Sequence, residues 1–318
     1  QYIDLLFASL AKAAGFNPYL VLSADRSQHF FTQEKYPIYS FVHPCCIAVV
    51  ADGNTYKYFN PGTPYLPFGS IIWYEETVAM FVSETGNTTW RIIPLTPPEA
   101  SLAKRTGKFN LLDDGTLEGD VRTEYYGQRA ISRRQEHFQD SPAKREDEIK
   151  DDVKKRLSLA EVTNISVENF DDNSKPLVYS YKVRIPNYAQ KTGKKIFLQP
   201  GFFEFGEKPL FTANDRIHPM YFEYGWSDQD EIEFSLPSNY LLEVSDAPAP
   251  VTDAAKRVTG QTIKITVTED KTLLKYERNF HFGDNGNVLF MPKFYQPIKA
   301  LFDSFHKADT HTITLRQK

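Results

Sequence analysis

An Asp-Gly pair at positions 52 and 53 separates two runs rich in strand-forming residues, Phe41–Val50 and Thr55–Asn60. Asp-Gly accepts the positive φ angles of a two-residue turn whose twist matches that of paired strands. The stretch is therefore expected to fold as a hairpin. In an antiparallel pair the start of one strand lies beside the end of the other. His43 opens the first run and Asn60 closes the second, 17 positions on, so the two are expected to become neighbours. A histidine oriented by Asn or Asp is two thirds of a Cys-His-Asn/Asp catalytic apparatus. His43 and Asn60 are accordingly the candidate catalytic residues.

The same β character extends along the chain. With 24 Phe, 18 Tyr and 3 Trp in 318 residues, short aromatic runs between turns point to sheets, and the length allows two or three domains. Net charge is -4 and the pI about 6.0, so there is no basic field to draw nucleic acid. No run of 18 apolar residues is present, so no membrane-spanning helix is expected. The chain begins at Gln1 inside an apolar helical pattern, and it is expected to be a fragment or a processed chain. The two cysteines, Cys45 and Cys46, are adjacent and would point to opposite faces of a strand. The histidines lack metal-ligand spacing and there is no phosphate-cradling glycine loop, so neither metal nor cofactor is expected.

Along the chain, Ile3, Leu6, Phe7, Leu10, Ala11 and Ala14 share one helical face, and Gly15 ends the run. The few charges on this helix predict burial. Tyr19–Ser23 reads as a strand, and Thr77–Ser83 with Thr88–Ile93 as a hairpin. Prolines 94, 97 and 98 mark a boundary. Beyond it, Ala103–Leu112 and Thr116–Tyr126 form a long hairpin across Asp113-Asp114-Gly115. Ser141-Pro142 caps a charged helix over 143–161, with Ile149, Val153, Leu157 and Ala160 as its apolar stripe. Short strands follow at 162–170, 176–186, 194–200, 209–213, 218–224 and 230–236. The acidic clusters Asp171-Asp172-Asn173 and Asp228-Gln229-Asp230 lack the order of an EF-hand and read as turn chemistry. A second proline link, 246–251, precedes strands at 262–268, 272–282 and 288–290, a helix Tyr295–His306 and a last strand Thr310–Leu315. This divides the chain into 1–96, 100–245 and 250–318, the last two either separate or continuous.

The order of parts in the first 95 residues resembles the second half of a bacterial transglutaminase-like core, a papain-like cysteine fold. The likeness rests on a helix ending in Ala-Ala-Gly-Phe, a strand, Phe-Val-His opening a second strand, and Tyr-Phe-Asn-Pro closing a third. The resemblance implies an α+β class: a truncated helix-plus-antiparallel-sheet core followed by one or two mainly antiparallel β domains with few helices. It also implies that His43 stands at the family's catalytic histidine. Asn60 stands at its orienting acid, where Asn-Pro-Gly replaces the usual Asp-Pro-Thr. The family's nucleophilic cysteine sits at the N-terminus of the helix, where the dipole lowers a thiol pKa. That place falls immediately before Gln1. Cys45 and Cys46 are two and three residues past His43 on the same strand and do not substitute for it.

Residues 100–318 are similar, more loosely, to the β-rich domains that flank such cores in bacterial envelope proteins, through the hairpin at Asp114–Gly119 and the strand-then-helix order of Tyr276–Phe305. This implies a periplasmic or cell-surface setting. The expected function is a non-catalytic or catalytically incomplete unit that binds a protein or polysaccharide. The enzymatic alternative is a cysteine acyl transferase or peptidase whose nucleophile lies upstream, with His43 as base and Asn60 as its orienter. The chain by itself is expected to be inactive.

Overall fold

A computed structural model describes residues 2–28, 43–50, 55–77, 79–84, 87–244, 246–253, 258–284 and 287–318. Helix α1 (Tyr2–Ala13) precedes a five-stranded antiparallel sheet of β1 (Pro18–Ser23), β2 (His43–Val50), β3 (Tyr56–Phe59), β4 (Ala79–Glu84) and β5 (Asn87–Ile92), in the order β3-β2-β1-β4-β5. β2 and β3 pair from Ile47↔Phe59 to Val50↔Tyr56, as the Asp-Gly signal predicts; the turn residues 51–54 lie outside the described residues.

After the prolines, β6 (Leu102–Leu111) and β7 (Leu117–Tyr125) form the expected long hairpin. Two helices follow, α2 (Gly127–Glu136) and α3 (Pro142–Arg156), then β8 (Glu161–Glu168) and β9 (Leu177–Ile185). The Ser141 hydroxyl accepts from Lys144 N–H at the start of α3, 3.3 Å, and the helix buries Ile149 and Val153. The remaining elements are β10 (Gln190–Thr192), β11 (Lys195–Leu198), β12 (Met220–Tyr221), β13 (Trp226–Ser235), β14 (Tyr240–Val244), β15 (Val251–Thr252), β16 (Thr259–Val267), β17 (Leu273–Phe282), β18 (Leu289–Phe290), α4 (Tyr295–Asp309) and β19 (Ile313–Gln317). Residues 209–213, expected as a strand, are irregular.

An eight-stranded sheet, β15-β16-β17-β13-β6-β7-β9-β8, is the largest layer. Its pairs are antiparallel except β13 with β6, which run parallel from Ser227↔Leu102 to Ser235↔Asn110. Alternation along each strand sends one set of side chains inward. Phe109, Leu117, Val121, Val183, Phe234 and Tyr276 meet Ile196, Leu198, Ile313 and Leu315 of a second sheet, β10-β11-β19-β14. The core is thus sheet on sheet, with α3 contributing Ile149 and Val153. An aromatic cluster of Phe280, Phe282 and Phe305 anchors α4 to the other end of the long sheet.

Two expectations are corrected. The α+β class with a truncated transglutaminase-like helix-plus-sheet core does not hold. Nineteen strands in four sheets stand against four α-helices among the described residues, so the protein is dominated by antiparallel β-structure. Nor is α1 buried. Asp4 is its one buried residue, while Tyr2, Ile3, Leu5, Leu6 and Leu10 are exposed. Periodicity marks which face of a helix is apolar; it carries no information on whether anything covers that face.

Segment 60–76 ties the N-terminal sheet to the rest of the chain. Gln128 Nε2 donates to Ile71 O at 2.8 Å, Gln135 Nε2 to Pro64 O at 3.0 Å, and Asn173 Nδ2 to Leu66 O at 3.1 Å. Arg26 completes the tie. Its guanidinium lies over the rings of Trp73 and Tyr221 and donates to Trp73 O (2.7 Å), Glu223 O (2.6 Å) and the Tyr221 hydroxyl. Burial lowers its pKa, which Tyr221 and Glu76 partly counter.

Candidate functional site

Three places hold the chemistry-bearing side chains. The first is the turn after β3. His43 begins β2 with its backbone opposite Ser23 of β1; its side chain, like that of Cys45, lies outside the described residues. The β2–β3 ladder ends at Ile47↔Phe59, and one further step would set Asn60 level with Cys46. Asn60 is buried. Its Nδ2 donates to Glu75 Oε2 at 2.9 Å, and its Oδ1 accepts from the Thr63 hydroxyl at 2.7 Å. Asp4 in the first turn of α1 accepts from Gly62 N–H at 3.0 Å, so the start of α1 lies against the Asn60 turn. Cys46 is buried with Val21, Ala48, Ile71 and Ile93 and reads as a core side chain. Glu75 was not singled out by sequence reasoning. Its adjacent Glu76 gives no spacing signal, and both carboxylates are buried only in the folded chain.

The second place is a groove of about 1280 Å³ between the N-terminal sheet and the start of the long sheet. β3, an edge strand of its sheet, forms one wall together with Val49 and Val50 of β2. Pro94, Leu95, Thr96 and Pro97, Tyr126–Gln128 and Ile131 of α2 line the rest of it. Phe16 and Phe68 stand at the groove with 55% and 85% of their surfaces exposed, and the Phe68 ring rests on Phe59 at 4.9 Å. Two buried polar side chains line it. Burial raises the pKa of Glu76 against the effect of hydrogen bonds from the Thr96 hydroxyl and N–H. Gln128 is 3% exposed, and its Oε1 has no hydrogen-bond partner among the described residues. The proline run was legible as a boundary; its use as a groove wall was not, since that depends on where β3 lands.

The third place is an interior ion cluster. Register sets Asp230 of β13 directly between Arg105 of β6 and Arg278 of β17. Arg105 grips Asp230 through Nε and Nη2 at 2.6 and 2.9 Å and reaches Glu204 at 2.7 Å. Arg278 holds Asp309, the last residue of α4, at 2.7 and 3.2 Å. Its Nη1 faces Glu204, Asp228 and Asp230, each at 3.7 Å. Arg129 pairs with Asp228 at 2.7 Å, and Gln261 Nε2 donates to Asp309. Burial alone would raise the pKa of Glu204, but Arg278 and Arg105 outweigh it and hold the group at about 2. For Asp309 burial prevails over Arg278 and pushes the pKa up to about 6. Burial also raises Asp230, despite both arginines. The reading of Asp228-Gln229-Asp230 as a turn is therefore corrected: alternation on β13 points both aspartates inward, onto arginines. Asp172, by contrast, does serve a turn, accepting from Ser174 N–H at 3.1 Å. Through Asp309 the cluster pins α4 to β17 and β16. No group of His, Cys, Asp and Glu among the described residues is arranged to hold a metal ion.

Residues 194–315 match the model of DUF3858, a domain of unknown function with solved structure. That stretch runs from β11 to β19 and includes β13, β17 and α4, but not the N-terminal sheet or the groove wall. No curated protein matches the chain. Among solved structures, a crystal structure described as that of a candidate protease from Parabacteroides distasonis aligns with 99% of this chain at 9% identity and a TM-score of 0.48. The chain spans 43% of the length of that structure. No described helix is long and apolar enough to cross a membrane.

Proposed function

We propose that this chain is a non-catalytic binding unit that takes its partner, a protein or polysaccharide of the cell envelope, in the groove beside β3. The observation that carries this reading is the exposure of Phe68 and Phe16 at a concave, largely apolar site whose depth holds the polar side chains of Gln128 and Glu76. Exposed apolar surface at a concavity with a few convergent polar groups is the general signature of a ligand site. The periplasmic or cell-surface setting belongs to the same proposal and rests on the sequence resemblance. The test is titration of the chain with purified envelope proteins and soluble peptidoglycan fragments, comparing it with Phe68→Ala. Saturable binding that Phe68→Ala weakens supports the reading. Trapping of an acyl substrate at Cys45 or Cys46 with turnover would overturn it.

One contact favours a second reading. The Asp4–Gly62 hydrogen bond brings the first turn of α1 to the Asn60 turn. A cysteine preceding Gln1 would then approach Asn60, with His43 as general base and Asn60 as its orienter in an acyl transferase or peptidase. Amidase turnover by a longer form of the protein that disappears in His43→Ala supports this version; turnover unaffected by that change counts against it.

A further inference from the structure

The groove's own chemistry narrows the class of ligand, taking the binding-unit reading as its basis. A saccharide chain brings several hydroxyls per ring, and each hydroxyl buried without a partner is costly. The buried depth of the groove has little to offer them; its other polar side chains, Tyr56, Lys57, Tyr58, Ser70, Thr96 and Tyr126, are half-buried or exposed and keep access to water. Of its buried polar side chains, Glu76 accepts from the Thr96 hydroxyl and N–H, and Gln128 Nε2 donates one of its two N–H groups to Ile71 O. One buried acceptor remains, Gln128 Oε1, and it needs a donor. Phe59, Phe68, Pro94 and Pro97 also line the groove and suit aliphatic or proline side chains. An extended peptide carries both features, one main-chain N–H per non-proline residue and side chains alternating between two faces. β3 adds a reason for the extended form, because it is an edge strand of its sheet among the described residues and all four of its residues line the groove. Size agrees. The volume of about 1280 Å³ exceeds the usual pocket for a drug-sized ligand, ~300–1,000 Å³. A globular partner would instead need about 800 Å² of matching surface on each side.

We propose that the groove binds an extended apolar peptide segment, about as long as the four residues of β3, which packs a side chain between Phe68 and Pro97 and gives one main-chain N–H to Gln128 Oε1 once the groups that shut this atom off from solvent in the free chain move aside. The experiment is isothermal titration of the full chain with two probe sets. One is a set of blocked hexapeptides alternating serine with valine, proline or phenylalanine. The other is a pair of β-1,4-linked tetrasaccharides, of glucose and of N-acetylglucosamine. The expected result is saturable binding of at least one peptide. Phe68→Ala, at an exposed position, should weaken it about tenfold. Methylating one peptide nitrogen should weaken it about five- to tenfold, leaving the protein untouched. Gln128→Leu should cancel the effect of that methylation; an effect of the same size in Gln128→Leu puts the N–H elsewhere and overturns the Gln128 contact. Tetrasaccharide binding that depends on Phe68, with no peptide binding, overturns the peptide assignment and leaves the groove as a binding site. Absence of Phe68-dependent binding by either set overturns the groove reading itself.

Discussion

Replacing Arg278 with methionine tests the ion cluster, because the arginine is 4% exposed in its side chain and faces four carboxylates. Methionine fills similar volume without charge. The change leaves Asp309 with Gln261 as its remaining donor among the contacts described, and leaves Glu204 and Asp230 to Arg105. Removing one partner of a buried ion pair costs about 3–5 kcal/mol. That figure applies where the carboxylates are charged, near pH 8. The pH dependence gives the argument its sharper edge. With Arg278 present, burial already pushes Asp309 up to about 6. Its folded pKa therefore exceeds its unfolded value, and the folded state binds the extra proton. Stability from this group is full below the unfolded pKa and is lost as pH rises through about 6. In the native protein this makes a fall of about 1–2 kcal/mol between pH 5 and 8. Without Arg278 the pKa rises further, so Asp309 is protonated over most of that range and the substitution costs least at pH 5. In the native protein Glu204 is held at about 2, so its stabilisation is complete above the ordinary carboxylate range and fades as pH falls toward 2; in the Arg278→Met background it loses the larger of its two arginine partners and its pKa rises as well. The assay is urea unfolding followed by tryptophan fluorescence at pH 5, 6.5 and 8, with Asp309→Asn in the native and Arg278→Met backgrounds. Asp309→Asn should reduce the native slope, leaving the part due to Asp230 and Glu76, whose pKa values burial also raises, and recover about 1–3 kcal/mol in the arginine-less background at pH 8. A loss under about 1 kcal/mol at pH 8, or one that is the same at all three pH values, would refute the cluster as described.

Other outcomes are equally specific. Gly127 has φ +54° and a Cβ there would sit 2.1 Å from Ala100 O, so Gly127→Ala should destabilise by more than the ~1–2 kcal/mol of a left-handed residue alone, measured by urea midpoint. Asn60→Asp puts a carboxylate where Nδ2 now donates to Glu75, 2.9 Å away. Its stability should fall by about 2–4 kcal/mol at pH 7 and recover toward pH 4, whereas a pH-independent change would contradict the contact. Arg26→Met strips donors from Trp73 O and Glu223 O and should cost about 2–3 kcal/mol, with faster proteolytic cleavage in the 60–76 segment as the readout. Phe68→Ala, at a site 85% exposed, should change the unfolding midpoint by less than about 0.5 kcal/mol equivalent, which keeps it usable as a binding probe.

The local elements were legible because their signals are local. Alternation gave β6 with β7 and β16 with β17, and Ser141-Pro142 gave the start of α3. What escaped was set by distance along the chain. Asp230 looks like part of an acidic turn until Arg105, 125 residues away, is brought beside it. The parallel pairing of β13 with β6 has no sequence signature, and the apolar stripe of α1 promised a burial that the fold does not supply. The class was misread for a related reason. An ordered series of motifs over 95 residues points to a truncated helix-plus-sheet core, while most of the chain builds antiparallel sheets. At the candidate site, Asn60 and the proline run were visible beforehand. Glu75 and Gln128 were not, because an isolated Glu or Gln acquires meaning only from what buries it.

The parallel seam between β6 and β13 also has a consequence for synthesis. β6 leaves the ribosome with β7 as a hairpin partner on one side, while the strand that seals its other side is made about 125 residues later. At about 5–20 residues per second that interval is roughly 6–25 s. During it a sheet edge carrying Phe109 and the unpaired charge of Arg105 stands open. Arg105 then guards the nascent edge, since a charge pointing inward discourages a stray strand from docking there. When Asp230 arrives, the same charge becomes the grip that closes the sheet, so one residue acts first as a deterrent and then as a clasp.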